Sequence, residues 1–167
     1  FLKVSRSVFC PENREIGKDE YKRLVKSAYE KGDERMGMLL QTICATGIRV
    51  SEVPFITIEA AKQGRAEVEC KGRIRTVFLT PRLCSMLLDY AKKKHIDSGM
   101  IFVTKNGKAL DRSNIWRNMK KLCEGADVLW DKVFPHNFRH LFARLYYEQE
   151  KNLVGLADIL GHSNINT

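Results

Sequence analysis

Apolar residues recur at helical spacing along most of the chain. Between 18 and 31, Tyr21, Leu24, Val25, Ala28 and Tyr29 fall on one face, and between 34 and 46 so do Met36, Leu39, Leu40, Ile43 and Cys44. Gly47 stands where a left-handed cap ends the second helix, and Pro54 allows only a short turn from Ser51. Thr57 is placed to cap a further short helix reaching Lys62. The period then changes. Residues 65–70 alternate charged and small apolar side chains, 73–79 are rich in β-formers, and Lys71-Gly72 between them predicts a tight hairpin turn. Pro81 opens a helix with Leu83, Met86, Leu87, Tyr90 and Ala91 inward and Lys92, Lys93 and Lys94 at its end. Residues 100–103 read as a short strand and Asn106-Gly107 as a turn. Ser113 starts a helix burying Ile115, Met119, Leu122 and Cys123. After Pro135, the apolar set Phe138, Leu141, Phe142, Leu145 and Tyr146 marks another, and residues 153–160 a last one before Gly161-His162. The pattern predicts a mainly α protein with one small antiparallel β-sheet, an α+β fold. Residues 1–16, without a period, read as a linker or arm, and 17–167 as a single domain.

Charge narrows the partners. The 167 residues carry 29 Lys and Arg against 20 Asp and Glu, a net charge of +9. The excess is uneven: between 92 and 121, nine basic residues face only Asp97 and Asp111. Such concentration points to a polyanion, with a plain solvated basic surface as the alternative. The five cysteines are scattered and odd in number, which reads as reduced thiols in a cytoplasmic protein. No apolar run reaches membrane-spanning length, and the opening residues lack the form of a signal peptide.

Candidate chemistry centres on the helix after Pro135. There, i, i+3 spacing sets His136 beside Arg139, with His140 one step further round. Arginine offers a planar fork of donors and histidine exchanges a proton near neutral pH, a combination suited to phosphate. Arg49 stands at a junction after a helix-ending glycine, with pairing to Glu52 as its ordinary alternative. Lys71 alone would be a turn lysine, and His162 alone a helix-end residue.

Taken in order, the strings Ala45-Thr46-Gly47-Ile48-Arg49-Val50-Ser51-Glu52, the hairpin Lys71-Gly72, His136-x-x-Arg139-His140 and Leu160-Gly161-His162-Ser163 resemble the tyrosine recombinase family, the integrases of phages and conjugative transposons. The resemblance covers the family's catalytic domain, from about residue 16 to 167. It implies site-specific cleavage and rejoining of double-stranded DNA through a 3′-phosphotyrosyl intermediate, in the integration and excision of a mobile element, with no metal or other cofactor. It implies that Arg49 and Arg139 grip the non-bridging oxygens of the scissile phosphate and that Lys71 protonates the departing 5′ oxygen. His136 would exchange the proton of the attacking hydroxyl, and His162 would hydrogen-bond the phosphate. Glu52 and His140 would support these groups. Arg73, Arg75, Arg112, Asn114, Arg117 and Lys121 are candidate DNA contacts.

One feature departs from the family pattern. The nucleophilic tyrosine is expected shortly after Leu160-Gly161-His162, and the sequence reaches Thr167 without it. Tyr21, Tyr29, Tyr90 and Tyr146 lie on apolar helix faces and Tyr147 falls outside the pattern, so none replaces it. The expectation is therefore a catalytic domain that binds DNA but does not cut it, whose dimers or tetramers on DNA would need the C-terminal tail. Two other classes compete. His136 and His140 at i, i+4, with His162, could ligate zinc, although Asn137 stands where a zincin has its glutamate and Arg139 repels a cation. A non-catalytic DNA-binding or regulatory module would explain the charge but not the recurring Arg, Lys and His-x-x-Arg set.

Overall fold

A computed structural model describes residues 14–152, and side chains through residue 148. Helix α1 (Lys18–Glu30) starts where the Glu20 carboxylate turns back to accept the Gly17 N–H at 2.9 Å. Helix α2 (Glu34–Thr46) is capped by Asp33, whose side chain accepts from the Met36 N–H. It is the central element, packing against α1 and against three later helices, Pro81–Lys93, Arg112–Lys121 and Pro135–Asn152. Its sequence pattern marks only one apolar face. Met38, Gly37 and Thr42 on the other side are buried as well, and Thr42 satisfies its hydroxyl on the Met38 carbonyl at 2.8 Å. Surrounded on all sides, Leu39, Leu40 and Ile43 are fully buried, each worth about 1.5–3 kcal/mol.

A 3₁₀ turn (Val50–Phe55) and the short helix α3 (Ile58–Gln63, capped by the Thr57 hydroxyl) lead into the hairpin. Strands β1 (Arg65–Cys70) and β2 (Arg73–Phe78) pair antiparallel, with Cys70 opposite Arg73 and Arg65 opposite Phe78. Lys71 and Gly72 at the tip both take positive φ, 53° and 77°, the geometry of a two-residue hairpin turn whose twist matches its strands. Among the described residues only one face of the hairpin meets the protein: Ala66, Val68 and Val77 are buried, while Ile74 and Phe78 on the other face are exposed.

Helix α4 (Pro81–Lys93) is followed by an irregular stretch, then α5 (Arg112–Lys121), the single-turn α6 (Cys123–Ala126), a 3₁₀ turn (Trp130–Lys132) and α7 (Pro135–Asn152). The strand expected at 100–103 does not form. Met100 makes one bridge to Thr57 and Val103 one to Ala109. Ile101 and Phe102 are buried all the same, Phe102 stacking on Tyr90, so the apolar run serves the core without a ladder. The helix expected from Ser113 begins one residue earlier and breaks at Leu122, keeping Ile115, Met119, Leu122 and Cys123 inward. Tyr146 departs from its expected apolar face: more than half exposed, it stacks on Phe142 from outside. Ile16, at the end of the expected arm, is fully buried in the core.

Among the described residues no helix is long and apolar enough to cross a membrane. The fold is mostly helical with one two-stranded antiparallel sheet.

Candidate active site

The site is built around the end of α2. Gly47 takes φ 71°, and its N–H closes the helix on the Ile43 carbonyl at 2.8 Å. A Cβ at this position would lie 2.5 Å from the Phe142 ring, so the missing side chain is what lets α7 close on α2. The Gly47 carbonyl then accepts a hydrogen bond from Nε of Arg139. One residue thus turns the chain, admits a neighbouring helix and aims a guanidinium. The bond uses Nε alone, leaving the two terminal amino groups out of it.

Arg49, two residues on, is the N-cap of the 3₁₀ turn, and its N–H donates to Glu52 Oε1 at 2.8 Å. The Glu52 side chain is completely buried. It is gripped from the hairpin by Arg75, whose Nη2 donates to Oε1 at 2.9 Å while Nη1 bonds Oε2. Arg49 Nη1 stands 3.5 Å from the same Oε2. Arg75 is on the inward face of β2, two residues along from Val77 and opposite Val68. Its position therefore ties the hairpin to the turn that carries Arg49. Burial pushes the Glu52 carboxyl up, but the Arg75 bond, the Arg49 N–H and the charges of both arginines outweigh it and hold it below 4.5. The stability that Glu52 contributes is thus complete above the unfolded value and lost as pH falls through the lower folded value.

Helix α7 brings the other groups. Burial first, then the charges of His140, Arg139 and Arg49, hold His136 below the ordinary 6.5. Its ring meets His140 edge to face, with centroids 4.6 Å apart. Arg139 is held below its ordinary value by burial and then by the charge of Arg49, against the opposing influence of Glu52; Arg75 and Cys70 also act on it. Cys70 is the last residue of β1, so the tip bearing Lys71 begins one residue from a group within electrostatic reach of Arg139. Arg49 and Arg75 therefore share the Glu52 carboxylate, and Arg139, bonded to the Gly47 carbonyl, lies within electrostatic reach of all three. Such an arrangement is short of negative charge and suited to an anion with several acceptor oxygens. An NMR titration of His136 should give a midpoint below 6.5 in the free protein and a higher one when a phosphodiester is bound; a free midpoint at or above 6.5 would contradict this electrostatic picture.

The remaining candidates fall in three places. Lys71 and Arg73 are exposed at the hairpin tip, and Arg73 shares a face with Arg75. Arg112, Asn114, Arg117 and Lys121 are exposed on α5, where Arg117 donates to Asn114 at 3.0 Å. Arg112, Arg117 and Lys121 line an open groove of about 1310 Å³ with Trp116, Trp130 and Lys120, whose ammonium lies 3.9 Å from the Trp130 ring centre. His162 and the Leu160-Gly161-His162-Ser163 string lie outside the described residues. Two contributors to the site are not legible as such in the sequence, the Gly47 carbonyl and Arg75 as the partner of Glu52. Neither leaves a sequence signal, because both contacts join residues far apart in the chain.

Comparison with known proteins bears on this geometry. Residues 14–167 match the Phage integrase family, and the chain belongs to it. The fold and the relatives define a tyrosine recombinase catalytic domain. The chain is 29% identical to tyrosine recombinase XerH of Campylobacter jejuni across 98% of its length and 48% of the relative's. It is 30% identical to tyrosine recombinase XerD of Lacticaseibacillus casei across 77% of its length and 47% of the relative's. The chain thus spans about half the length of these curated relatives. Among solved structures, XerA recombinase superposes with TM-score 0.68 at 26% identity, covering 81% of this chain and 50% of that one. XerH bound to its difH substrate in a post-cleavage complex gives 0.67 at 21% identity, covering 89% and 46%, which shows a shared fold.

Proposed function

We propose that this domain performs the DNA breaking and rejoining of site-specific recombination, serving the integration and excision of a mobile element. The observation that carries the reading is the convergence of Arg49, Arg139 and His136 into one electropositive cluster beside the end of a hairpin with lysine at its tip. Double-stranded DNA is the substrate. The two guanidinium groups hold the non-bridging oxygens, where charge concentrates as phosphorus becomes five-coordinate. Fixed donors aimed at such charge cost nothing to reorganise during reaction and contribute roughly 10²–10³ in rate each. His136, kept neutral at pH 7 by its surroundings, is ready to accept the proton of the attacking hydroxyl. Lys71 swings in on the hairpin to protonate the departing 5′ oxygen, and His162 adds a hydrogen bond to the phosphate. The attacking hydroxyl belongs to a tyrosine, and the domain works as a dimer or tetramer on DNA. Similarity to XerH bound to difH, and to lambda integrase as a tetramer on a Holliday junction, supports this reading.

Two measurements test it. DNA affinity should fall roughly 10³-fold between 50 and 200 mM salt, as expected for about six phosphate contacts. With a tyrosine-bearing segment following Thr167 and a cognate site supplied, a covalent protein–DNA adduct should form, and Arg49→Ala or Arg139→Ala should reduce its rate roughly 10²–10³-fold. Salt-sensitive binding with no adduct on any cognate site would mark a DNA-binding module instead.

A further inference from the structure

Residues 14–16, which precede α1, run against the helix that carries His136, Arg139 and His140, and they are fastened to it at two levels. Asn137 is fully buried, and its Nδ2 donates to the Arg14 carbonyl at 2.7 Å and to the Lys132 carbonyl at 2.7 Å. Two turns further along α7, Arg144 pairs with Glu15 at 2.8 Å and donates to the Ile16 carbonyl. Ile16, fully buried, anchors the segment between them. The two fastenings lie seven residues apart on the helix, about 10 Å along its axis. Added to the packing of α7 on α2, two ties at that spacing oppose both sliding and rotation.

The chemistry of Asn137 sharpens the point. At i, i+4 from Leu141 it belongs to the apolar face, where a leucine would pack as well and an unpaired amide is costly. Here both amide hydrogens reach carbonyls outside the helix, so the residue links the segment before α1, the loop before α7 and the first turn of α7. It is the neighbour of His136 and two residues before Arg139.

We propose that residues 14–16 act as a strap that sets the seat of α7, and that Asn137 and Arg144 are positioning residues through which it holds His136 and Arg139 opposite Arg49. The proposal rests on the reading of that pair as phosphate-binding only for its consequence on DNA. The positional claim can be tested with no DNA present.

The test is the NMR titration midpoint of His136, read in Asn137→Ala, Arg144→Met and Arg144→Lys. The charged groups facing His136, namely His140, Arg139 and Arg49, are unaltered in all three. Freed of the strap, His136 moves away from Arg49 and into water, so the midpoint should rise in the first two variants and return toward the parent value in Arg144→Lys. Arg23→Met is the control, since Arg23 makes a comparable tie to the Ala126 and Asp127 carbonyls elsewhere in the fold. It should lower the melting temperature without moving the midpoint. Should Asn137→Ala fail to fold, Arg144→Met carries the test alone. Unchanged midpoints in folded variants, or an equal shift in the control, would overturn the strap. Failure to form the covalent adduct when a tyrosine-bearing segment is supplied, with the midpoint shift intact, would overturn the recombinase reading and leave the strap standing.

Discussion

Gly47→Ala is expected to lower stability by about 2–6 kcal/mol in urea denaturation, the larger of two effects rooted in the site's construction. The new side chain would occupy φ 71°, and strain of that kind costs about 1–3 kcal/mol. Its Cβ would also stand 2.5 Å from Phe142, and overpacking of this order adds about 1–3 kcal/mol. The two contributions can be separated. Phe142→Leu in the Gly47→Ala background should recover part of the packing loss and none of the backbone strain, giving a favourable coupling in the double-mutant cycle. Because the same residue presents the carbonyl that receives Arg139, the surviving folded protein should also bind DNA less tightly. A loss below about 1 kcal/mol, less than either contribution alone, would mean that the α2–α7 junction yields more readily than its geometry implies.

Arg75→Met is the second. It leaves the Glu52 carboxylate buried with Arg49 at 3.5 Å and a single backbone donor. Breaking a fully buried ion pair costs about 3–5 kcal/mol, but the Arg75 side chain is 42% exposed, so solvent reaches the vacated side and about 2–3 kcal/mol is expected. The sign with pH is specific. Glu52 loses its strongest counterweight to burial, its folded carboxyl rises, and the penalty shrinks once the group protonates in acid. Denaturation at pH 7 and at pH 4 should therefore give a large and a small difference from the parent. Unchanged stability at pH 7 with weakened DNA binding would return Arg75 to the role of a simple DNA contact.

These contacts show which parts of the fold are legible in the sequence and which are not. Period and punctuation locate α1, α2, α4 and the hairpin, because Gly47, Pro81 and Lys71-Gly72 act through local backbone geometry. The strand expected at 100–103 is absent for a physical reason. An apolar run records that Ile101 and Phe102 are buried, not whether a partner strand lies beside them. The full enclosure of α2 is likewise hidden, since Met38 and Thr42 look like an ordinary second face until the rest of the fold packs around the helix. In the site, the spacing of His136 and Arg139 lies within one helix and is legible. The grip of Arg75 on Glu52 is not, because it joins β2 to the 3₁₀ turn across 23 positions. Asn137 carries a faint signal, a polar residue on an apolar face, whose meaning depends on where the Arg14 carbonyl falls.

If side chains far apart in sequence meet on one backbone phosphate, a structure of the protein bound to a cognate DNA duplex will show it. Terminal guanidinium nitrogens of Arg49 and Arg139 should lie within about 3 Å of oxygens of the same phosphate, with His136 adjacent and the hairpin lysine drawn toward it. DNA seated so that Arg49 and Arg139 contact different phosphates, or none, would contradict it.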